Sequence, residues 1–364
     1  MNPYRFNFSG GPGALPESVL HILQESINCV PGLGLSVLGV SHRSDWFESV
    51  VAETETNIRK LLNLPDSYHV LMLQGGSSLQ FSMIPMLLLR GRAQPAEYLD
   101  TGYWSAKAIP EARREGNVNL LWSGKPDGYR RLPDAQELLF SEDASYLHYV
   151  SNETVEGLQF NFLPGHDTVP RICDMSSDFL SQPFEAKKFS LIYAHSQKNL
   201  GPAGVTLVVL DDALLARAPD DLHTILDYRP HAYAHSIYNT PPVFAIYALM
   251  LVTRWLLKDV GGVVPMGELN RQKASMVYRL LDASEGFYLA RARHQNRSLM
   301  NVVFNLPSPV LEQQFLQEAD AAGLYGLAGH RTLGGVRVSL YNGVTLEAVY
   351  ALCNFMESFH KNIR

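Results

Sequence analysis

Residues 191–210, LIYAHSQKNLGPAGVTLVVL, consist of two apolar runs around a polar corner. The first run enters Gln197-Lys198-Asn199, a Gly/Pro turn follows, and the second run opens at Val205. Short apolar runs bounded by Gly and Pro read as strands, so Lys198 sits at a strand end, close to buried structure. Burial disfavours an ammonium and lowers its pKa, the property a Schiff-base lysine requires. A solvent-facing loop lysine would carry the same letters, and only its company distinguishes the two.

Outward from this corner, further strand-like runs occur at Tyr68–Leu73, Glu97–Leu99, Tyr146–Val150, Thr168–Cys173, Phe189–Ala194 and Val205–Leu210. Several are separated by helix-length segments, which predicts an α/β chain with a mostly parallel sheet. In such sheets ligands gather beyond the carboxyl ends of the strands. After Asp211 the texture changes to a helix over about Pro241–Leu257, a Gly261-Gly262 break and another helix near Gly267–Leu281. The expected partition is a large domain over 16–260 and a smaller C-terminal α/β domain over 261–364. The opening residues 1–15, too few to fold alone, join the small domain, against the active site or the C-terminal part.

The 364 residues fit two domains at roughly 150 residues each. Charged residues are 18% and hydrophobic ones 46%, a composition that excludes intrinsic disorder. A net charge of −6 without a long basic run gives no footprint for nucleic acid or an anionic membrane. The most apolar stretch, Val243–Val252, is too short for a membrane helix, and the first residues lack the pattern of a signal peptide. Cys29, Cys173 and Cys353 are odd in number and far apart, which fits free thiols. A soluble, cytoplasmic chain is the expectation.

The company of Lys198 begins with Asp174, which ends the preceding apolar run. A carboxylate there can hold a pyridinium N–H and keep a ring electron-withdrawing, though helix capping with Ser176, Ser177 and Asp178 would look the same. Residues 68–89 read as strand, Gly75-Gly76 turn and apolar helix with Ser77 or Ser78 at the cap, a place where backbone N–H groups bind phosphate. Trp104 follows a short strand and can stack on a flat ring or fill a core. Thr154 offers a strand-end hydroxyl or a plain turn. Asn239-Thr240-Pro241 looks like a helix start with Thr240 as cap.

Taken in order, FNFSGGPGALP, GVSHRS, LQGGSSLQF, DTGYWS, SNETVEG, DMSSDF, SQKNLGPAG, IYNTPP and GHRTLGGVRVSLYN resemble the phosphoserine aminotransferase family over essentially the whole chain. That family belongs to the class-V, fold-type-I transferases that depend on pyridoxal 5'-phosphate. The resemblance implies Lys198 as Schiff-base lysine and proton shuttle, Asp174 on the pyridinium nitrogen and Trp104 stacked on the ring. It implies Gly76, Ser77 and Gln197 on the cofactor phosphate, Thr154 on the phenolic side, and Asn239 and Thr240 reaching the phosphate from the neighbour in a homodimer. Ser9, His42, Arg43, His330, Arg331 and Arg337 are the implied substrate-binding residues. Arg337 anchors the α-carboxylate, the His-Arg pairs take the phosphate or side-chain carboxylate, and His330 and Arg331 arrive from the partner chain. The implied reaction exchanges an amino group between glutamate and 3-phosphohydroxypyruvate, giving O-phosphoserine and 2-oxoglutarate, a step of serine biosynthesis.

Departures from the family pattern are Ser78, where some members have a substrate-binding Arg, Gly10 and Gly13 in place of alanines, and His195 in place of a small residue. His195 reads as a satisfied buried histidine or as a change to the cofactor pocket. Arg binds carboxylate and phosphate bidentately, which suits substrates anionic at both ends. A transaminase for another acidic keto acid, or one that also takes phosphohydroxythreonine, fits the same residues. His231 and His235, spaced i, i+4, raise a metal-dependent hydrolase, but no Glu follows the first His and Pro230 precedes it, so no metal is expected. A non-catalytic binding protein of the same fold would not need both Lys198 and Asp174.

Overall fold

The computed structural model describes residues 5–363; residues 1–4 of the expected small domain, and residue 364, lie outside them. A seven-stranded sheet contains β1 (Tyr68–Leu73), β2 (Ala96–Asp100), β3 (Val118–Ser123), β4 (Leu147–Val150), β5 (Arg171–Asp174), β6 (Leu191–His195) and β7 (Thr206–Asp211). Its spatial order is β1-β7-β6-β5-β4-β2-β3. Every strand but β7 points the same way, because β7 runs antiparallel to both β6 and β1 while the remaining pairs are parallel. The polar corner after β6 is shorter than the dozen or so residues a parallel crossover needs, so β7 must return antiparallel.

β4 and β5 are buried along their whole length, as expected for strands covered on both faces. The strand expected from Thr168 starts only at Arg171, since Pro170 has no N–H to give a sheet ladder. β3 was not anticipated: it is one of the two edge strands, with Leu120 exposed and only a short apolar run.

α1 (Gly76–Leu88) follows β1, and α2 (Tyr103–Glu115) follows β2. The N-cap of α1 is Gly75, not Ser77 or Ser78, which fall in the first turn. Gly75 and Gly76 have φ of 90° and 69°, a left-handed path open to glycine that turns the strand directly into the helix. The apolar stretch near residue 250 forms helix Val243–Lys258, buried from Ala245 to Thr253 and packed on helices Glu17–Asn28 and Asp45–Leu62. Its N-cap is Pro242, and Thr240 lies outside it. The consecutive prolines disfavour helical geometry at the residues preceding them. No helix among the described residues is long and apolar enough to cross a membrane.

The C-terminal part has a three-stranded antiparallel sheet of Leu289–Ala290, Asn301–Asn305 and Val336–Ser339. Helices Val263–Ala283, Pro309–Ala321 and Leu346–Ile363 share a core with it, and Phe8 is inserted there. Phe6–Asn7 pairs parallel with Leu324–Tyr325, and Gly13 N–H donates to the Gln197 carbonyl at 2.8 Å. The opening segment thus touches both the C-terminal sheet and the Lys198 corner. His231 lies in the short helix Tyr228–Tyr233, whereas His235 lies beyond it at a φ of 45°, so they are not a helical pair. His231 Nε2 meets the Ile225 carbonyl at 3.0 Å, and no cluster able to hold a metal occurs among the described residues.

Candidate active site

The carboxyl ends of five parallel strands meet in one cavity. Lined by Gly76, Ser77 and Ser78 after β1, Trp104 after β2, Asn152 and Thr154 after β4, Asp174, Ser176 and Ser177 at β5, and His195, Gln197 and Lys198 at β6, it obeys the strand-end rule. Lys198 is buried, and Nζ donates to Thr154 Oγ1 at 2.6 Å. Thr154 Oγ1 donates in turn to Ser177 Oγ at 3.1 Å, and Ser177 to the Asn152 carbonyl at 2.8 Å. Desolvation lowers the Lys198 pKa from 10.5 to about 8, against the opposing charge of Asp174.

Asp174 is buried and its pKa is raised by desolvation, with Lys198 pulling it back down. One oxygen accepts the Ser176 N–H at 2.8 Å. Residues 176–180 form a turn and not a helix, so this is a local side-chain-to-backbone bond and no helix cap, and the same side chain lines the cavity.

Trp104 stands at the start of α2, with its ring centroid 5.6 Å from Lys198 Nζ and its Nε1 buried without a partner. The N-terminus of α2 is clasped by two buried acids that the sequence reading missed. Glu153 accepts from Trp104 N–H and Ser105 N–H, both at 3.1 Å, and Glu156 accepts from Tyr103 N–H at 3.0 Å. Their oxygens satisfy N–H groups that have no partner inside the helix. A Cβ at Gly102 would lie 2.5 Å from Glu156 Oε2 and 2.7 Å from Glu153 Cδ, so only glycine lets both carboxyls in. The signal lies in SNETVEG, where the two acids flank Thr154.

At the other side of the cavity Ser77 Oγ and Ser176 Oγ are 2.9 Å apart, next to the first turn of α1. The residues present fit pyridoxal phosphate. A hydroxyl-lined helix start suits its phosphate, a buried carboxylate its ring nitrogen, an indole its flat face, and a desolvated lysine its carbonyl.

The basic residues divide into two groups. Arg337, on the strand Val336–Ser339, is near enough to Lys198 to lower its pKa and has Nε buried without a partner. A Cβ at Gly10 would collide with its guanidinium, and one at Gly13 would stand 2.6 Å from Tyr341 Cδ2, so both glycines give room to neighbouring side chains. His330 lies in a turn with its ring 4.6 Å from that of Tyr103, next to Trp104, and the charges of Lys107 and, to a smaller degree, Arg331 lower the pKa of the Tyr103 hydroxyl. Within one chain both therefore stand near Tyr103.

His42 and Thr240 line a separate surface cleft and Arg43 lies in another; like Arg337, His330 and Arg331, they are not part of the Lys198 cavity lining. Asn239 is also absent from its walls. Thr240 is tied to the chain before α1 by Gln74 Nε2, which donates to its carbonyl at 2.6 Å. Ser9 packs against Gly326, outside the cavity lining.

The class-V aminotransferase model matches residues 5–352. A phosphoserine aminotransferase of Laribacter hongkongensis is 48% identical over 354 residues, covering 97% of this chain and 98% of the relative. The phosphoserine aminotransferase structure from Bacillus circulans subsp. alkalophilus superposes with a TM-score of 0.96 at 42% identity, covering 99% of each chain. A pyridoxal-phosphate-bound phosphoserine aminotransferase from Trichomonas vaginalis superposes with a TM-score of 0.91 at 34% identity, over 97% of this chain and 99% of the other.

Proposed function

This chain belongs to the class-V aminotransferase family, and on that premise we propose how its residues divide the work of a phosphoserine aminotransferase. It is a pyridoxal-phosphate-dependent, fold-type-I enzyme that exchanges an amino group between glutamate and 3-phosphohydroxypyruvate, giving O-phosphoserine and 2-oxoglutarate. When bound, pyridoxal phosphate supplies the carbonyl that carries the amino group and a ring that draws electrons from the reacting carbon.

Lys198 is the base. With a pKa of about 8 it is partly neutral near physiological pH, and it can take a proton from the substrate carbon and return it. Thr154 fixes Nζ in place. Asp174 supplies a buried negative charge for the ring nitrogen, and Trp104 covers the ring and excludes water. Gly76, Ser77 and Gln197 hold the phosphate. Arg337 binds the α-carboxylate, while His330 and Arg331 supply positive charge for the second anionic end of either substrate.

His42, Arg43, Asn239 and Thr240 complete the site of the second subunit in a homodimer. His42 and Thr240 share one outer cleft, which supports their acting together at the neighbouring site. The division at residue 260 into a large cofactor-binding domain and a small domain that includes 5–15 is supported by the pairing of Phe6–Asn7 with Leu324–Tyr325. The unpaired Cys29, Cys173 and Cys353 fit a reducing compartment and so support a cytoplasmic location.

The observation that carries this reading is the buried Lys198 amine between Asp174 and Trp104, with Arg337 beside it. Borohydride reduction of the yellow holoenzyme should attach the cofactor to Lys198, and label on another lysine would refute its role. A half-reaction screen of the pyridoxamine form against keto acids should give the highest kcat/KM with 3-phosphohydroxypyruvate. A higher value for another acidic keto acid would overturn the substrate assignment, and the 4-phosphohydroxythreonine keto acid belongs in the same panel.

A further inference from the structure

His195 ends β6 three residues before Lys198, and its imidazole borders the cavity. The Cδ2–Nε2 edge lies over the turn into α1, where a Cβ at Gly76 would stand 3.6 Å from both atoms. Its backbone N–H donates to Ser176 Oγ at 3.2 Å, and that hydroxyl lies 2.9 Å from Ser77 Oγ. The ring, two hydroxyls and the first turn of α1 therefore surround one small space. Nδ1 is buried without a hydrogen-bond partner, which corrects the reading of a satisfied core histidine. Burial and the charge of Lys198 both lower the His195 pKa, so in the free protein the ring is a neutral imidazole with one N–H to donate.

We propose that His195 is a ligand of the cofactor phosphate, donating an imidazole N–H beside Ser77, Ser176 and the first-turn amides of α1. This rests on the reading of the cavity as the pyridoxal-phosphate site. An anionic oxygen at the mouth of a helix is a strong acceptor, and a ring nitrogen adds a direction that backbone amides alone do not supply. The side chain also closes the cup over Gly76, where no Cβ intervenes.

The test compares pyridoxal phosphate with pyridoxal, which lacks the phosphate, in titrations of apoenzyme followed by absorbance and tryptophan quenching. His195→Ala should raise the Kd for pyridoxal phosphate about 10- to 100-fold and leave that for pyridoxal unchanged. His195→Gln, which keeps an N–H donor, should recover much of the difference, and inorganic phosphate should compete less well in His195→Ala than in the unsubstituted protein. Equal weakening of both ligands in the folded Gln variant, or no weakening in either variant, would overturn the proposal. If the unsubstituted apoenzyme binds neither compound, the reading of the cavity itself falls, an outcome distinct from the failure of His195 alone.

Discussion

Lys198 Nζ lies 2.6 Å from Thr154 Oγ1, the first link of a hydroxyl chain that ends on the Asn152 carbonyl. Each hydroxyl spends its proton further along this chain, so Thr154 presents a lone pair to the amine. That contact fixes the position of Nζ, while burial sets its charge. With the pKa lowered to about 8, the rate of covalent capture of pyridoxal phosphate by apoenzyme should rise through pH 8 and level off above it. An inflection near that of a free lysine would show Nζ to be solvated. The same shift predicts a stability signature. Between pH 8 and about 10.4 the unfolded chain holds a proton that the folded chain has lost, so stability of the apoenzyme rises with pH, by roughly 3 kcal/mol in all from this group. Below pH 8 the cost of burying the charge remains in full.

Asp174 and Lys198 perturb each other in opposite senses, each favouring the charged form of the other. Asp174→Asn should therefore move the capture inflection of Lys198 below pH 8. It should also slow proton abstraction from phosphoserine by orders of magnitude, since the ring nitrogen loses its anionic partner. Stopped-flow spectra of the half-reaction measure the second effect. Near-normal rates in the Asn variant would leave Asp174 with its bond to Ser176 N–H as its only role.

Glu153 and Glu156 predict an asymmetric pair of variants. Burial and the charge of Glu153 push the Glu156 pKa well up, and burial raises that of Glu153 as well, so the pair favours the neutral form of Glu156. Glu156→Gln replaces one neutral group by another and should leave the urea midpoint nearly unchanged. In Glu153→Gln an NH2 group replaces one of the two oxygens that accept N–H groups from Trp104 and Ser105. A loss of about 1–3 kcal/mol is expected, together with weaker quenching of Trp104 by the cofactor. Equal losses in both variants would contradict the assigned protonation.

The legible parts of the site were those where a strand ends and a motif begins. Asp174, Lys198 and Thr154 each follow a buried apolar run, so their positions followed from strand register without tertiary knowledge. β3 escaped because this edge strand, with a solvated face, has only a short apolar run to detect. Thr240 was misplaced at a helix cap because the backbone effect of Pro241 and Pro242 outweighed the capping letters. Glu153 and Glu156 escaped for a different reason. Their purpose depends on the N-terminus of α2, some fifty residues earlier, and only the fold brings these segments together. His195 is similar, since its orphaned nitrogen is a property of packing and not of sequence.

Arg331 and Arg337 should respond differently to truncation. In the proposed role Arg337 would serve the α-carboxylate present in both substrates, so Arg337→Ala should depress kcat/KM for glutamate and phosphoserine alike. Arg331 is proposed for the other end, where a phosphate dianion would offer more charge and more acceptors than a carboxylate. Arg331→Ala should cost phosphoserine about 10- to 150-fold and glutamate less. The two half-reactions, assayed separately, give the comparison directly, and equal losses for Arg331→Ala would remove it from substrate discrimination.

The division of the basic residues between subunits can be read from mixed dimers. His330 touches Tyr103, and Arg331 stands on the same side, so in one chain they accompany Trp104 and Lys198. His42 shares an outer cleft with Thr240, and Arg43 lies in a different cleft away from the Lys198 cavity. Suppose Lys198→Ala subunits are paired with Arg43→Ala subunits, each homodimer being weak or inactive. If Arg43 crosses to the other subunit, one hybrid site combines the intact Lys198 of one chain with the intact Arg43 of the other, and activity returns. Pairing Lys198→Ala with Arg331→Ala should give no such recovery, because the chain that keeps Lys198 is the one that lacks Arg331. Subunits carrying two different affinity tags allow the heterodimer to be isolated before assay. Recovery in the Arg331 mixture, or none in an isolated Arg43 heterodimer, would reverse the assignment of these residues to their subunits.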